Sequence, residues 1–222
     1  ILTEILPQLI TGLSFPKSMH WGNLDEKFVR PLRWLVALYD TDVLPITFAG
    51  VRASNSSRGH RFLGKKEILI QHPADYVKNL EDNFVIVDQD KRRAMIEEQL
   101  HAIADEKKAT IVWDEDLLDE ILYLVEYPTA LCGTFDESYL TLPSAAVITP
   151  MKDHQRYFPL VDAEGKLLPM FLTVRNGDAH SLNVVQAGNE RVLRARLDDA
   201  KFFFNEDRKK ALADRSEGLT RI

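Results

Sequence analysis

The chain has 222 residues, 45% of them hydrophobic, with one cysteine, 28 Lys and Arg, and 34 Asp and Glu, a formal net charge of −6. That length and apolar fraction allow a core to form without cross-links, and a single cysteine excludes an intrachain disulfide. A net negative chain is not a general nucleic-acid coat, whose affinity rests on a basic excess, so any RNA contact has to use a local basic patch.

Residues 1–13 are predicted to form a short helix; with Glu4, Pro7 and no basic leader they do not read as a signal peptide. Both ends of the chain read as cuts through a longer protein. Residues 31–40 and 43–48 read as two strands joined at Thr41-Asp42, and 67–70 as a short strand. His72-Pro73 opens a helix, with proline in the first turn, where a missing N–H matters little. A brief strand is expected at 84–87. Asp88 is the expected cap of a helix running to about Lys108, in which Ile96, Leu100 and Ile103 keep helical spacing. Then come a strand at 110–113, a helix at 114–123, an extended segment at 128–133, a mostly helical stretch at 143–154, and a hairpin of 156–161 with 167–174. A long helix runs to about Asp207. No apolar run reaches the length of a membrane span.

Helices and strands mix without regular alternation, which predicts an α+β fold with a mixed or antiparallel sheet. The expected division is a body of residues 1–180 and a long C-terminal helical arm of 181–222. In the run 188–207, Leu193, Leu197, Ala200 and Phe204 share one face, while Val192, Phe202 and Phe203 lie elsewhere. A helix apolar on several sides is expected to run between two packed bodies, with Arg191 and Arg194 along one edge.

Residues 59–65 match the spacing G-x-x-x-x-G-K of a phosphate loop. Lys66 then stands where Ser or Thr would reach magnesium, and a strand follows where a helix is required. The glycines are therefore read as permitting positive φ in a turn. Arg58, His60 and Arg61 cluster in that loop, and arginine forks suit phosphates. Lys152, His154 and Arg156 stand beside Tyr157 and Phe158, which are read as the start of a core strand. Arg191 and Arg194 are helical neighbours; Arg194 also faces Glu190 and Asp198, so internal salt bridging competes with a binding role. Arg196 borders the apolar stripe, where a guanidinium wants a buried acid or a ligand. Cys132 reads as a small core residue. The six histidines lie far apart and no His or Cys pair has metal-ligand spacing. No G-x-S-x-G elbow is present. Asp114, Glu115 and Asp116 read as helix-start charge. No signature of an aminoacylation centre of either synthetase class is found.

Six blocks in order resemble the beta subunit of bacterial glycyl-tRNA synthetase, the form built from separate alpha and beta chains. They are FVRPLRW (28–34), RGHRF (58–62), LVEYP (124–128), MKDHQRYFP (151–159), KLLP (166–169) and GNERVLRARLDDAKFFFNED (188–207). The resemblance covers nearly the whole chain. Two departures are Pro150, where a hydroxyl residue is expected, and Tyr127, where a Trp is expected; Pro150 disfavours helix at Thr149. The resemblance implies a cytoplasmic heterotetramer in which the alpha subunit uses ATP and Mg to activate glycine. The beta chain then serves tRNA recognition and assembly. Its partners would be the alpha subunit and tRNA(Gly), with no DNA and no membrane, and it would bind no cofactor and hold no catalytic or metal residue of its own. Arg58, His60, Arg61, Lys152, Arg156, Arg191, Arg194 and Arg196 become candidate tRNA contacts. The body would be similar to the editing-type domain of the phenylalanyl-tRNA synthetase beta chain. That likeness raises an alternative, an editing hydrolase of mischarged tRNA, although a glycine site already rejects larger amino acids by overlap. A purely structural interaction module is the third reading.

Overall fold

The structure, a computed structural model, describes residues 1–209. It divides into two compact units, residues 1–88 and the chain from Gln89 onward. This division differs from the expected body of 1–180 and arm of 181–222. The long helix packs against the sheet of the second unit, so chain continuity at 176–181 is not a seam there. The last residues of the expected arm, 210–222, lie outside the described residues.

The first unit opens with a helix, α1 (Leu2–Thr11), followed by four two-residue antiparallel ladders. These are β1 (Met19–His20) with β2 (Lys27–Phe28), β3 (Leu38–Tyr39) with β4 (Asp42–Val43), β5 (Thr47–Phe48) with β6 (Val51–Arg52), and β7 (Ser56–Ser57) with β8 (Ile68–Leu69). The strands expected over 31–48 are thus mostly irregular. Only Leu38 to Val43 pairs across their turn, with Asp40 at φ 53°. The rest of the first strand makes a single parallel bridge, Val36 with Ser54. A one-turn 3-10 helix, Pro73–Asp75, leads into α2 (Tyr76–Glu81); His72 Nδ1 accepts the Ala74 N–H at 3.1 Å and caps it. The strand expected at 84–87 does not form. Phe84 takes φ 62°, and its N–H and that of Val85 return to the carbonyls of Glu81 and Leu80, closing α2. Ile68, Ile70 and Leu80 make a small core.

The second unit is built on an antiparallel sheet. In chain order its elements are α3 (Gln89–Glu106), β9 (Thr110–Ile111), α4 (Glu115–Leu124), β10 (Pro128–Thr134), α5 (Ser144–Thr149), β11 (Phe158–Val161), β12 (Leu167–Asn176) and α6 (Leu182–Arg208). The strand order is β10-β12-β11-β9. Strand alternation sends Leu172 into one core and Phe171 into another. On the first face Ile96, Leu100 and Ala104, each four residues apart, meet Leu118 and Ile121. On the second, Tyr139, Val147, Met151 and Tyr157 pack with Leu193 and Leu197 of α6.

Gly133 pairs directly with Phe171, and a Cβ there would lie 2.3 Å from the ring. Its absence lets Phe171 lie on β10 and stack on Tyr157 at 4.4 Å. Tyr157 and Phe158 are both buried, as a core strand start requires. Thr149 is helical despite preceding Pro150, with φ −56° and ψ −51°. The chain accommodates the missing proline N–H by widening into a π-turn over Pro150–His154.

Candidate nucleic-acid interface

The loop 58–66 joins β7 to β8, and the Gly59 N–H prolongs that ladder by donating to the Lys65 carbonyl at 2.9 Å. Asn83, at the end of α2, braces it. The Asn83 carbonyl accepts the His60 N–H at 2.9 Å, its side-chain oxygen accepts the Lys65 N–H at 3.1 Å, and its amide donates to Asn79 at 2.8 Å. Gly59 and Gly64 sit against this residue. Cβ atoms there would meet Asn83 at 2.8 and 2.4 Å. Neither glycine has positive φ, so the expectation of a positive-φ turn is corrected: close backbone approach, not handedness, requires them.

His60 points inward. It is 3% exposed, and its Nδ1 accepts the N–H groups of Phe62 and Leu63 at 3.3 Å each. These contacts make His60 a brace of the loop, not part of its outer surface. Arg58, Arg61, Lys65 and Lys66 are exposed. The Arg58 guanidinium lies 5.0 Å from the Trp34 ring centre, and Arg61 lies 5.6 Å from Phe62. Trp34 reaches the loop because Ser54 donates to the Leu35 carbonyl at 2.9 Å, laying that segment beside the chain entering β7. Neither arginine has an ion-pair partner among the described residues. Residues 51–66 carry five basic side chains and no acidic one.

The remaining candidates lie in the second unit. Lys152 forms an ion pair with Asp114. Arg156, at φ 59°, binds Glu120 through Nε and Nη2 at 2.7 Å each, and Nη1 donates to the carbonyls of Asp153 and His154. Both therefore have partners within the fold: Lys152 faces the cap of α4, and Arg156 fastens the π-turn. Arg191, Arg194 and Arg196 are exposed on α6. The carboxylates expected to pair with Arg194 are engaged elsewhere. Asp198 accepts the Tyr139 hydroxyl; Glu190 accepts the Thr134 N–H at 2.9 Å and the Gln186 amide at 2.8 Å. Arg194 instead lines a cleft of about 450 Å³ with Thr134, Asp136, Ser138, Tyr139 and Glu190. Burial and the Asp198 contact push the Tyr139 hydroxyl up to about 12. Burial works to raise the Glu190 carboxyl, but the hydrogen bonds from Gln186 and Thr134 prevail and hold it below its ordinary value.

Arg196 is exposed and forms no ion pair among the described residues, because the buried stripe of α6 is narrow. Leu193 and Leu197 are buried, whereas Phe202 and Phe203 are 58% and 62% exposed. The expectation of a helix buried on several sides is corrected for the described residues. Residue type alone does not mark Phe62 and Trp34 as exposed rings, because aromatics are usually core residues; only the alternation of Arg with Phe and Trp in RGHRF and FVRPLRW hints otherwise. Among the described residues no group of three or more His, Cys, Asp or Glu side chains is placed to hold a metal ion, and no helix is long and apolar enough to cross a membrane.

Comparison with known proteins defines the class. Residues 1–222 match the family described as glycyl-tRNA synthetase beta subunit. Among curated relatives, the glycine–tRNA ligase beta subunit of Desulfitobacterium hafniense (strain Y51) is 49% identical over 222 residues, and that of Moorella thermoacetica 50% over 222. In both, the match takes in 100% of this chain and 32% of the relative. The Bacillus subtilis (strain 168) protein of the same name is 50% identical over 209 residues, 93% of this chain and 31% of the relative. The chain belongs to the glycyl-tRNA synthetase beta-subunit family, and it spans about a third of the length of these relatives.

Proposed function

We propose that this chain is a tRNA-holding and assembly region of the beta subunit of a glycine–tRNA ligase. On this reading the adenylate is made from glycine and ATP with Mg on a separate alpha chain, in a cytoplasmic heterotetramer. The sheet unit with helices on both faces is then similar to the editing-type domain of the phenylalanyl-tRNA synthetase beta chain, without having to edit. The observation that carries the reading is the braced loop 58–66, which holds Arg58 and Arg61 exposed and without carboxylate partners. A guanidinium free of internal acids is available to a phosphate. Arg191 and Arg194 supply a second, weaker patch. Lys152 and Arg156 have partners within the fold and rank below both.

The test is binding of tRNA(Gly) by the full-length beta chain. Arg58→Ala with Arg61→Ala is expected to weaken binding roughly tenfold or more, taking about 1 kcal/mol per lost phosphate contact. The same variant should leave glycine-dependent exchange of pyrophosphate into ATP by the two-chain enzyme unchanged. Unaltered tRNA affinity would overturn the assignment.

An editing hydrolase is the second reading, favoured by the cleft around Ser138, Tyr139 and Arg194. Its groups are largely engaged. Asp136 caps a short helix by accepting the Ser138 N–H at 2.8 Å, and Tyr139 donates to Asp198. Among the described residues, the carboxylates lining the cleft are thus already used as hydrogen-bond acceptors within the fold, which disfavours them as a general base. Release of alanine from mischarged tRNA by the beta chain above the spontaneous rate would reverse this ranking.

A further inference from the structure

We propose that Phe62 and Trp34 form a stacking site for unpaired nucleobases, so that the first unit grips a single-stranded segment of RNA in preference to duplex. The inference rests on the RNA-holding reading above and adds which part of the RNA is held.

Phe62 is 82% exposed. On a loose terminus such a ring would mean little. Here the backbone beneath it is fixed: Phe62 and Leu63 both donate to the buried His60 ring, and Gly59 and Gly64 seat the loop on Asn83. A rigidly presented ring loses little freedom when it meets a ligand. Trp34, 41% exposed, is held beside the same loop by the pairing of Leu35 with Ser54.

Each ring is accompanied by a guanidinium, Arg58 at Trp34 and Arg61 at Phe62. Arginine beside an aromatic plane suits a base stack, because the cation extends the platform and its N–H fork reaches the adjoining phosphate. The surroundings discriminate against a protein partner. A protein hot spot is framed by other contacts that exclude water; arginine is common in it, but lysine is depleted from such interfaces. The loop that carries Phe62 instead holds Lys65 and Lys66 exposed along with Arg58 and Arg61, and no acid occurs from 51 until Glu67 at its end. Bases within a duplex are already stacked on one another, so only unpaired ones can use these rings.

The test measures binding of the full-length beta chain to two fluorescent probes of equal length, oligo(rU) and a fully paired RNA hairpin. Phe62→Ala is expected to weaken oligo(rU) binding by roughly 5- to 150-fold, the range for loss of one stacked base. Hairpin binding should stay within about twofold, and Phe62→Tyr should restore the oligo(rU) affinity. Arg58→Ala with Arg61→Ala should weaken both probes. Because the Phe62 side chain is largely in solvent, its removal should leave the melting temperature unchanged. Equal losses on both probes, or none on either with wild-type binding intact, would overturn the stacking site while leaving the RNA reading in place. Failure of the wild-type chain to bind either probe would overturn both. Normal RNA binding by Phe62→Ala with loss of assembly with the alpha chain would make Phe62 a protein contact and end the proposal.

Discussion

The Asp114 carboxylate accepts the Leu117 N–H at 2.9 Å at the start of α4 and meets Lys152. The Lys152 contact, followed by that backbone bond, holds its carboxyl below the ordinary value. A lowered folded-state pKa means stability that is present above the unfolded pKa, about 3.9, and lost as pH falls through the folded one. Asp114→Ala should therefore cost about 1 kcal/mol at neutral pH, the usual worth of a cap. Asp114→Asn, which can still cap, should lie closer to wild type, and its gap should close in acid. Equilibrium denaturation at a series of pH values checks this; a gap independent of pH would contradict it. Gly133→Ala tests packing. With its Cβ 2.3 Å from the Phe171 ring, it should destabilise by roughly 1–3 kcal/mol or more, read as a lowered melting temperature. Two residues also mark the limit of reading chemistry from spacing. Helical distance offered Arg194 both Glu190 and Asp198, but those acids accept hydrogen bonds from Thr134 and Tyr139, some 55 to 60 positions away in sequence, and Arg194 acts on Glu190 through its charge. Likewise the RGHRF sequence groups His60 with two arginines, whereas the fold turns it inward.

Among the elements, those with sustained period and their own caps were legible. Helices α3 and α4, strand β10 and the β11–β12 hairpin stand close to where apolar spacing and turn chemistry put them. The two-residue ladders of the first unit were not, because their strands are too short for alternation to register. Helix α6 was legible in place and length but not in surroundings. Periodicity says which side chains share a face and nothing of what covers the others. Its packing rests on Leu193 and Leu197, both fully buried. Leu193→Ala should cost about 2–5 kcal/mol, whereas Arg191→Ala and Arg194→Ala should each stay within about 0.5 kcal/mol, as exposed positions outside the packed stripe do. Urea denaturation of the three variants separates the roles. A large loss with either arginine variant would make that arginine structural and remove it from the candidate RNA contacts.

For the whole molecule, net charge hides an uneven distribution. Residues 1–88 carry ten basic and ten acidic side chains, so the excess of six acids belongs to 89–222, with 18 basic and 24 acidic. Within the neutral first unit, the run 51–66 is purely basic among its charged residues. A local patch was the condition the composition set for RNA binding, and this run meets it. The central claim is that Arg58 and Arg61 neutralise phosphates of bound tRNA. The slope of log affinity for tRNA(Gly) against log salt, measured with the full-length beta chain and its Arg58→Ala, Arg61→Ala double variant, tests it most directly. Loss of two phosphate contacts should make the slope shallower by about 1.5. Parallel lines for the two proteins would contradict the account.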